Sequence, residues 1–504
     1  NGKVIIKKDA GSIDSIIQKY KIDRYKANLG LFHTRWATHG GVEKKNAHPV
    51  TDCSGDIAVV HNGIIENWNE IKKNLYGHKF RSDTDTEVIP HFLEDELKNG
   101  ESIENGLKKL FKLIKGASSF VKVIYLYDGD MVVFDKDSYT IENLLGDKYP
   151  HPIYQVNLSP MVLSKGKYDH YMIKEINEQP KLLKNFESLD FSIIKRSADR
   201  IKEANRVYLL GAGTSYHAAM YGASLFRKSG IDAVAIQGQD INDYKQVLNK
   251  DDLFIIISQS GETADIISNL GLLSGIFKIG IINVEGSHLA RNVDIFIPMN
   301  AGVEKAVAAT KSFVNSMVIL VMINSFLQGN QEQMIRDLKL LNINLYNLFV
   351  PSVISTIKKI SKLIKNDQSL FYVGKNDGYL LALEGALKMK EVSYIHAEAF
   401  DLAAIKHGPL ALISNKSKVI SIVTNPVNDV LYGLEEIKAR GGKIIGIYNQ
   451  KNDLFDYFIH TPEAGIFSFV PQIIVTQLLA YYTSISKGIN PDKPRNLAKS
   501  VTVK

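Results

Sequence analysis

Residues 253–263 read LFIIISQSGET, an apolar run that stops abruptly in a cluster of hydroxyl and amide side chains. Leu253 to Ile257, rich in Ile, suits a strand buried on both faces of a parallel sheet, and Ser258-Gln259-Ser260-Gly261-Glu262-Thr263 suits the turn into a helix. Such a turn is a polar cup. Backbone N–H groups at a helix N-terminus, joined by the hydroxyls of Ser258, Ser260 and Thr263, can hold a phosphate, and Gly261 lets the backbone approach closely. An ordinary Ser- or Thr-capped turn accounts for any one of these hydroxyls. Three hydroxyls and a Gln in six residues, with no Lys or Arg among them, point to a ligand site.

The same pattern lies on either side of this stretch. Arg206-Val-Tyr-Leu-Leu-Gly211, a helical segment and then 253–263 are echoed by Leu370-Phe-Tyr-Val-Gly374, a helical segment and then Val419 to Thr424. Strands alternating with helices imply parallel sheets covered on both faces, here an internal duplication of two doubly wound α/β units. Ligands of such sheets bind beyond the carboxyl ends of the strands. There the first unit also carries Gly211-Ala212-Gly213-Thr214-Ser215-Tyr216, a lone Gly-x-Gly that extends into neither nucleotide motif. Together with the SQSGET turn it suggests a sugar phosphate.

Size and composition bound the answer. A chain of 504 residues has room for two to four domains, each with its own core. Hydrophobic residues at 45% and charged residues at 23% are ordinary for a soluble globular protein. The net charge of +7 is spread along the chain without a basic patch or interleaved aromatics, which argues against nucleic-acid binding. The single cysteine, Cys53, permits no internal disulfide and no thiolate metal cluster, and a reducing, cytoplasmic setting fits. Two uncharged stretches, 312–330 and 464–486, contain Asn, Gln or Pro and read as core helices rather than membrane spans. No signal peptide is visible, and Asn1 in place of Met is what a chain lacking its start would show.

Residues 1–150 are strand-rich, with short apolar runs at Val4–Ile6, Leu29–Phe32, Ile57–Val60, Phe120–Tyr127 and Met131–Phe134 and a hairpin signal at 127–130. Between the runs lie His33-Thr34-Arg35-Trp36-Ala37-Thr38-His39-Gly40, His61-Asn62-Gly63-Ile64-Ile65-Glu66-Asn67 and Ser82-Asp83-Thr84-Asp85-Thr86-Glu87. An Arg, amides and carboxylates of this kind can bind an α-amino acid, Arg35 pairing a carboxylate and Asp85 an ammonium. Turn chemistry explains the same residues locally. His33, His39, His48 and His61 form no helical metal motif, and the expected metal complement is none. Residues 151–190, with Pro152 and Pro160, read as a linker, 191–335 and 336–490 as the two α/β units, and 491–504 as a C-terminal tail.

HTRWATHGG, NAHPV, VVHNGIIENW and SDTDTEVI resemble the glutaminase domain of the glutamine:fructose-6-phosphate aminotransferase family. The resemblance implies a four-layer αββα N-terminal-nucleophile fold of the class II glutaminase type, followed by two sugar-isomerase (SIS) subdomains. It assigns glutamine binding to Arg35, Thr38, His39 and Asp85, the oxyanion hole to Asn62 and Gly63, and an ammonia gate to Trp36. The family's nucleophile is an N-terminal Cys, whereas this sequence begins at Asn1, and the segments before HTRWATHG and between Phe120 and Gly129 are short. Either such segments lie outside this sequence or the chain cannot hydrolyse glutamine.

In the second half, HYMIKEINEQP, SQSGET, EGALKMKE, KHGPLAL and PRNLAKS carry the resemblance. It assigns sugar-phosphate binding to Thr214, Ser215, Ser258, Gln259, Ser260, Thr263, Val307 and Ala498. Glu384, Lys388 and Glu391, four and three apart, share one helix face. A solvated stripe with one Glu–Lys pair has the same spacing. Moving a proton between C1 and C2 of a sugar requires a base, and ring opening a second group. Glu391 resembles the base and His407 the ring-opening group. Lys499 resembles an amine that forms an imine with the open-chain ketone, and Lys388 a helper near O1 or O2. Ala403-Ala404 stands where the family commonly has Gly-Glu, and the loop of Glu304-Lys305-Ala306-Val307 also departs from the family's version. The resemblance implies fructose 6-phosphate, glutamine and glucosamine 6-phosphate as ligands, no cofactor and a homodimer. Two other readings remain open at this point: an isomerase or deaminase working on free ammonia, and a non-catalytic sugar-phosphate sensor.

Overall fold

Leu253–Ser258 is a strand with all six residues buried, and it pairs on both sides with parallel neighbours. The computed structural model describes residues 5–10, 13–24, 33, 43–63, 65, 67–113, 118–119, 130–134, 139–143, 164–424 and 427–499. They divide into two units, residues 1–157 and 158–502.

In the first unit the described strands form short antiparallel pairs: β1 (Val50–Thr51) with β2 (Ala58–Val59), β3 (Asn62–Gly63) with β4 (Ser118–Ser119), and β5 (Asp130–Phe134) with β6 (Tyr139–Asn143). The apolar faces of helices Trp68–Asn74, Val88–Lys98 and Ile103–Leu113 meet in a small core of Ile65, Ile71, Val88, Leu93 and Leu110. The runs at 57–60 and 131–134 supply β2 and β5, whereas Ile5 and Ile6 are in no strand. Leu29–Phe32 and Phe120–Tyr127, with most of the hairpin signal at 127–130, lie outside the described residues.

The second unit contains two five-stranded parallel sheets. The first consists of β7 (Val207–Gly211), β8 (Ala233–Gln237), β9 (Leu253–Ser258), β10 (Phe277–Ile282) and β11 (Ile295–Pro298), in the order β11-β10-β9-β7-β8. The second consists of β12 (Ser369–Gly374), β13 (His396–Asp401), β14 (Lys418–Ile422), β15 (Lys443–Tyr448) and β16 (Tyr457–His460), in the order β13-β12-β14-β15-β16. Both have one doubly wound topology, strand order 2-1-3-4-5, so the duplication legible in the sequence is a duplication of fold. Its local chemistry repeats as well. A Cβ on Gly211 would meet the Ser215 backbone at 2.5 Å and one on Gly374 the Gly378 backbone at 2.2 Å, so each first strand needs glycine where the following helix folds back across it.

Ile255, Ile256 and Ile257 are at most 1% exposed, each contributing about 1.5–3 kcal/mol relative to exposure. The uncharged stretches form helices Lys311–Gln328 and Phe469–Ser486. Both are long and apolar enough to cross a membrane, but 78% of each apolar window is buried inside the fold, where they serve as core helices. Residues 171–184 correct the linker reading. They form a helix with Met172, Ile176 and Leu183 fully buried, and the Asp492 carboxylate accepts the first two N–H groups, of Tyr171 and Met172, at 2.8 Å each. The tail therefore begins as a brace on that helix.

Candidate active site

Because every strand of the first sheet is parallel, the turns after β7, β9 and β11 emerge at one edge. After β9 the chain makes the polar cup. Ser258 Oγ accepts from the Gly261 N–H at 2.9 Å and lies 3.1 Å from Thr263 Oγ1, while Ser260 Oγ accepts from the Glu262 N–H at 3.1 Å. Gly261 sits at φ +67°, and a Cβ there would come within 1.9 Å of Ser287 Oγ. Only glycine fits, on both conformational and steric grounds. Ser258 is buried, whereas Gln259, Ser260 and Thr263 are half-buried and line the turn. Thr214 and Ser215 open the helix Thr214–Lys228 directly after β7, the strand beside β9.

The helix Asp377–Ser393 belongs to the second sheet but reaches across to this edge. Glu384 and Lys388 are fully buried, which excludes the solvated-stripe reading of that face. The Thr214 hydroxyl donates to Glu384 Oε1 at 3.1 Å and accepts from the Lys388 ammonium at 3.0 Å. Lys388 also reaches Glu391 Oε2 at 2.6 Å and Glu384 Oε1 at 3.3 Å. His217 Nδ1 lies 2.7 Å from Glu384 Oε2, which requires the proton on that nitrogen. Burial alone would push the Lys388 ammonium down, but Glu384 and Glu391 outweigh it and drive the group upward, so Lys388 is a fixed cation. Glu391, 20% exposed at its side chain, is the member of this network with an outlet.

The loop after β11 meets the tail. Lys499 Nζ lies 2.6 Å from Glu304 Oε2, and the Val307 N–H donates to the Asp492 carbonyl at 3.3 Å. Glu304 is held down to about 2. Burial opposes this, but Lys499, the Thr310 N–H and the Ser312 hydroxyl all favour the charged form. Nearby Glu175 is pushed up to about 8, first by burial and then by the Glu304 charge, although its Oε1 accepts the Lys305 and Ala306 N–H groups. Arg495 stacks over the Tyr394 ring at 4.4 Å, and its N–H donates to the Tyr394 hydroxyl at 2.7 Å. Ala498 is half-buried beside Lys499.

His407 ends a short turn after β13 and is exposed, and its side chain makes no hydrogen bond or ion pair with Glu391, Lys499 or Thr214 among the described residues. Its turn is built without the acidic residue the family commonly places there. Asp401 accepts the Ala403 N–H at 2.7 Å, the Ala404 N–H reaches the Asp401 carbonyl at 2.9 Å, and the His407 N–H bonds the Ala404 carbonyl at 2.9 Å.

In the first unit, Asp85 is buried and its Oδ2 accepts the Ile65 N–H at 2.7 Å. This ties it to the segment just after Asn62 and Gly63, which form β3. Arg35, Trp36, Thr38 and His39 lie outside the described residues. In the sequence Glu384 is legible only as part of a helix face, and His217 and the Glu304 carboxylate that meets Lys499 are not legible as site residues. The i, i+4 spacing of Glu384 to Lys388 was a signal. Nothing local marked the other two.

The SIS domain family matches residues 200–324 and 362–483, one match per sheet, and the glutamine amidotransferase domain family matches residues 21–114. The glutamine–fructose-6-phosphate aminotransferase (isomerizing) of Pyrococcus horikoshii is 35% identical over 570 aligned positions, covering all of this chain and 93% of that protein. Since 570 positions exceed the chain's 504 residues, the alignment spans stretches for which this chain has no counterpart. The enzyme of the same name from Thermococcus kodakarensis is 33% identical, covering all of this chain and 94% of that one. Among solved structures, the C-terminal domain of glucosamine-fructose-6-phosphate aminotransferase from Francisella tularensis superposes with TM-score 0.60 at 31% identity, over 66% of this chain and 99% of that one. The chain belongs to the glutamine–fructose-6-phosphate aminotransferase (isomerizing) family.

Proposed function

We propose that the chain converts fructose 6-phosphate and glutamine to glucosamine 6-phosphate and glutamate, the amino-sugar precursor-forming reaction of its family. The observation that carries this reading is the buried network of Thr214, Glu384, Lys388 and Glu391, which joins the strand-end turns of one sheet to a helix of the other. A binding protein has no use for a fixed ammonium that orients a half-open carboxylate beside a polar cup.

The Ser258–Thr263 turn, with Thr214 and Ser215, takes the phosphate and sugar hydroxyls through hydroxyls and backbone N–H groups. Gln259, Val307 and Ala498 line the sugar. His407 assists ring opening. The Lys499 amine, once released from Glu304, attacks the C2 ketone with loss of water to give an imine. Ammonia from glutamine displaces that amine, and Glu391 carries one proton from C1 to C2, turning ketose into aldose. Lys388, whose ammonium is engaged by Glu384, Glu391 and Thr214, aims Glu391 and assists near O1 or O2 of the sugar. In the first unit, Arg35, Thr38, His39 and Asp85 bind glutamine, Asn62 and Gly63 stabilise the oxyanion, and Trp36 gates ammonia. A homodimer in a reducing, cytoplasmic setting completes the proposal, supported by a single cysteine in 504 residues.

Glu391→Gln tests the assignment. Isomerisation falls by at least about 100-fold, the scale of a lost general base, while fructose 6-phosphate still binds. Equal loss of binding and turnover in a folded variant would show that Glu391 is a ligand-binding group instead. Product from ammonium but never from glutamine would favour the ammonia-dependent isomerase or deaminase, and binding without turnover the sensor.

A further inference from the structure

Helix Val88–Lys98 places His91 and Glu94 one turn apart on its inner face, and the fold brings two further side chains to them from distant segments. Cys53 comes from the loop between β1 and β2, and His78 from the loop after helix Trp68–Asn74. One ligand atom from each of Cys53, His78, His91 and Glu94 lies within 4.8 Å of all the others. Cys53 Sγ is 3.5 Å from His78 Nδ1 and 3.7 Å from His91 Nδ1, and Glu94 Oε2 is 3.2 Å and 3.5 Å from the same two nitrogens. Tetrahedral zinc with a Zn–S bond of about 2.3 Å and Zn–N or Zn–O bonds of about 2.0–2.2 Å separates neighbouring ligand atoms by roughly 3.3–3.6 Å. The four sulfur–nitrogen and oxygen–nitrogen distances, 3.2–3.7 Å, bracket those spacings, and all the atoms lie within 4.8 Å of one another.

The surroundings also suit a cation. His78 Nε2 lies 2.8 Å from Asp95 Oδ1 and donates there, while its Nδ1 faces Glu94 Oε2 and the Cys53 sulfur, on the side where a metal ion would sit. His91 Nε2 is buried without a hydrogen-bond partner, its nearest carboxylate oxygen, Glu87 Oε1, lying 3.6 Å away. Carboxylates behind the far ring nitrogen are the usual outer partners of metal-bound imidazoles. The Lys79 N–H points at Cys53 Sγ from 3.4 Å, and Lys98 takes the outer oxygen of Glu94 at 2.8 Å while the inner one accepts the Cys53 N–H at 3.0 Å, which holds it beside the sulfur. His91 is fully buried, and the side chains of His78 and Glu94 are 4% and 10% exposed. A thiolate, a carboxylate and two neutral imidazoles around a divalent ion sum to zero charge, which a buried site can hold.

We propose that Cys53, His78, His91 and Glu94 form a closed, four-ligand structural site for a zinc-class divalent cation. The donor set of one sulfur, two nitrogens and one oxygen selects zinc over magnesium or calcium. The site ties the β1–β2 loop and the His78 loop to the helix whose leading turn follows Asp85. It also revises the expectation that a single cysteine rules out a thiolate metal site.

The test uses the full purified chain, equilibrated with Zn2+, freed of excess metal and analysed for metal content, with Co2+ as a spectroscopic replacement. One zinc per chain is expected, and the cobalt form should show a sulfur-to-metal charge-transfer band that Cys53→Ser abolishes. Asp95→Asn, outside the ligand set and at a half-exposed position, should weaken zinc by about 10–100-fold in competition with a chromophoric chelator. A folded chain holding well under a tenth of an equivalent, a cobalt spectrum without the sulfur band, or zinc bound equally well by both variants would overturn the site.

Discussion

Glu304→Gln probes how the tail is held over the sheet edge. The substitution preserves shape and leaves an amide oxygen for the Thr310 N–H, which bonds Glu304 at 2.9 Å, but it removes the negative charge that meets Lys499 at 2.6 Å. A hydrogen bond between charged groups contributes about 1.5–3 kcal/mol, so the docked state of the last residues should weaken on the order of 10- to 100-fold. The loss should be confined to the residues beyond Arg495, because Asp492 still caps the helix at Tyr171 and Met172 and Arg495 still stacks on Tyr394. Hydrogen exchange read by mass spectrometry, with tryptic cleavage after Lys499 as a second readout, measures this directly. Exchange of 496–499 altered by less than about twofold, in a variant otherwise unchanged, would refute the view that Glu304 is the latch.

Lys388→Met leaves Glu384 and Glu391 without their shared cation, and removing one partner of a buried charge network costs about 3–5 kcal/mol, read as lost exchange protection of the helix Asp377–Ser393. Adding Glu384→Gln should recover much of that protection, and a double variant as weak as the sum of the singles would contradict the network. Glu175 gives a pH signature. Its carboxyl is pushed up from 4.5 to about 8 in the folded chain, so its contribution to stability is complete below about pH 4.5 and is lost as pH rises through about 8. Glu175→Gln can keep the bonds from the Lys305 and Ala306 N–H groups, so the variant should resist denaturant better than the parent at pH 8 and no better at pH 4.5.

What the sequence made legible follows from how local each signal is. β9 could be read because a strand buried on both faces must be apolar at every position, and the turn after it because phosphate chemistry concentrates hydroxyls and glycine in a few residues. The internal duplication could be read because the same Gly-ended strand precedes each helix, whereas the strand order within each sheet could not. The meaning of the Glu384–Lys388–Glu391 face could not. Whether such a stripe is solvated or buried depends on Thr214 and His217, which lie 170 and 167 positions from Glu384 and arrive only through the packing of two sheets. The same holds for Glu304 against Lys499, 195 positions apart. Cys53 looked isolated for this reason too. Its neighbours His78 and His91 are 25 and 38 positions away, and only the His91–Glu94 pair sits within one turn of helix. The segment before the first α/β unit misled for the opposite reason: scattered prolines read as linker, but a helix accommodates Pro180 near its end while burying Met172, Ile176 and Leu183.

The most direct measurement is of glucosamine 6-phosphate formed from fructose 6-phosphate with glutamine as nitrogen donor, run beside an ammonium control and the Glu391→Gln variant. Product from glutamine is expected, matched by an equal amount of glutamate and reduced at least about 100-fold in the variant. Fructose 6-phosphate that binds yet yields no glucosamine 6-phosphate from glutamine would contradict it.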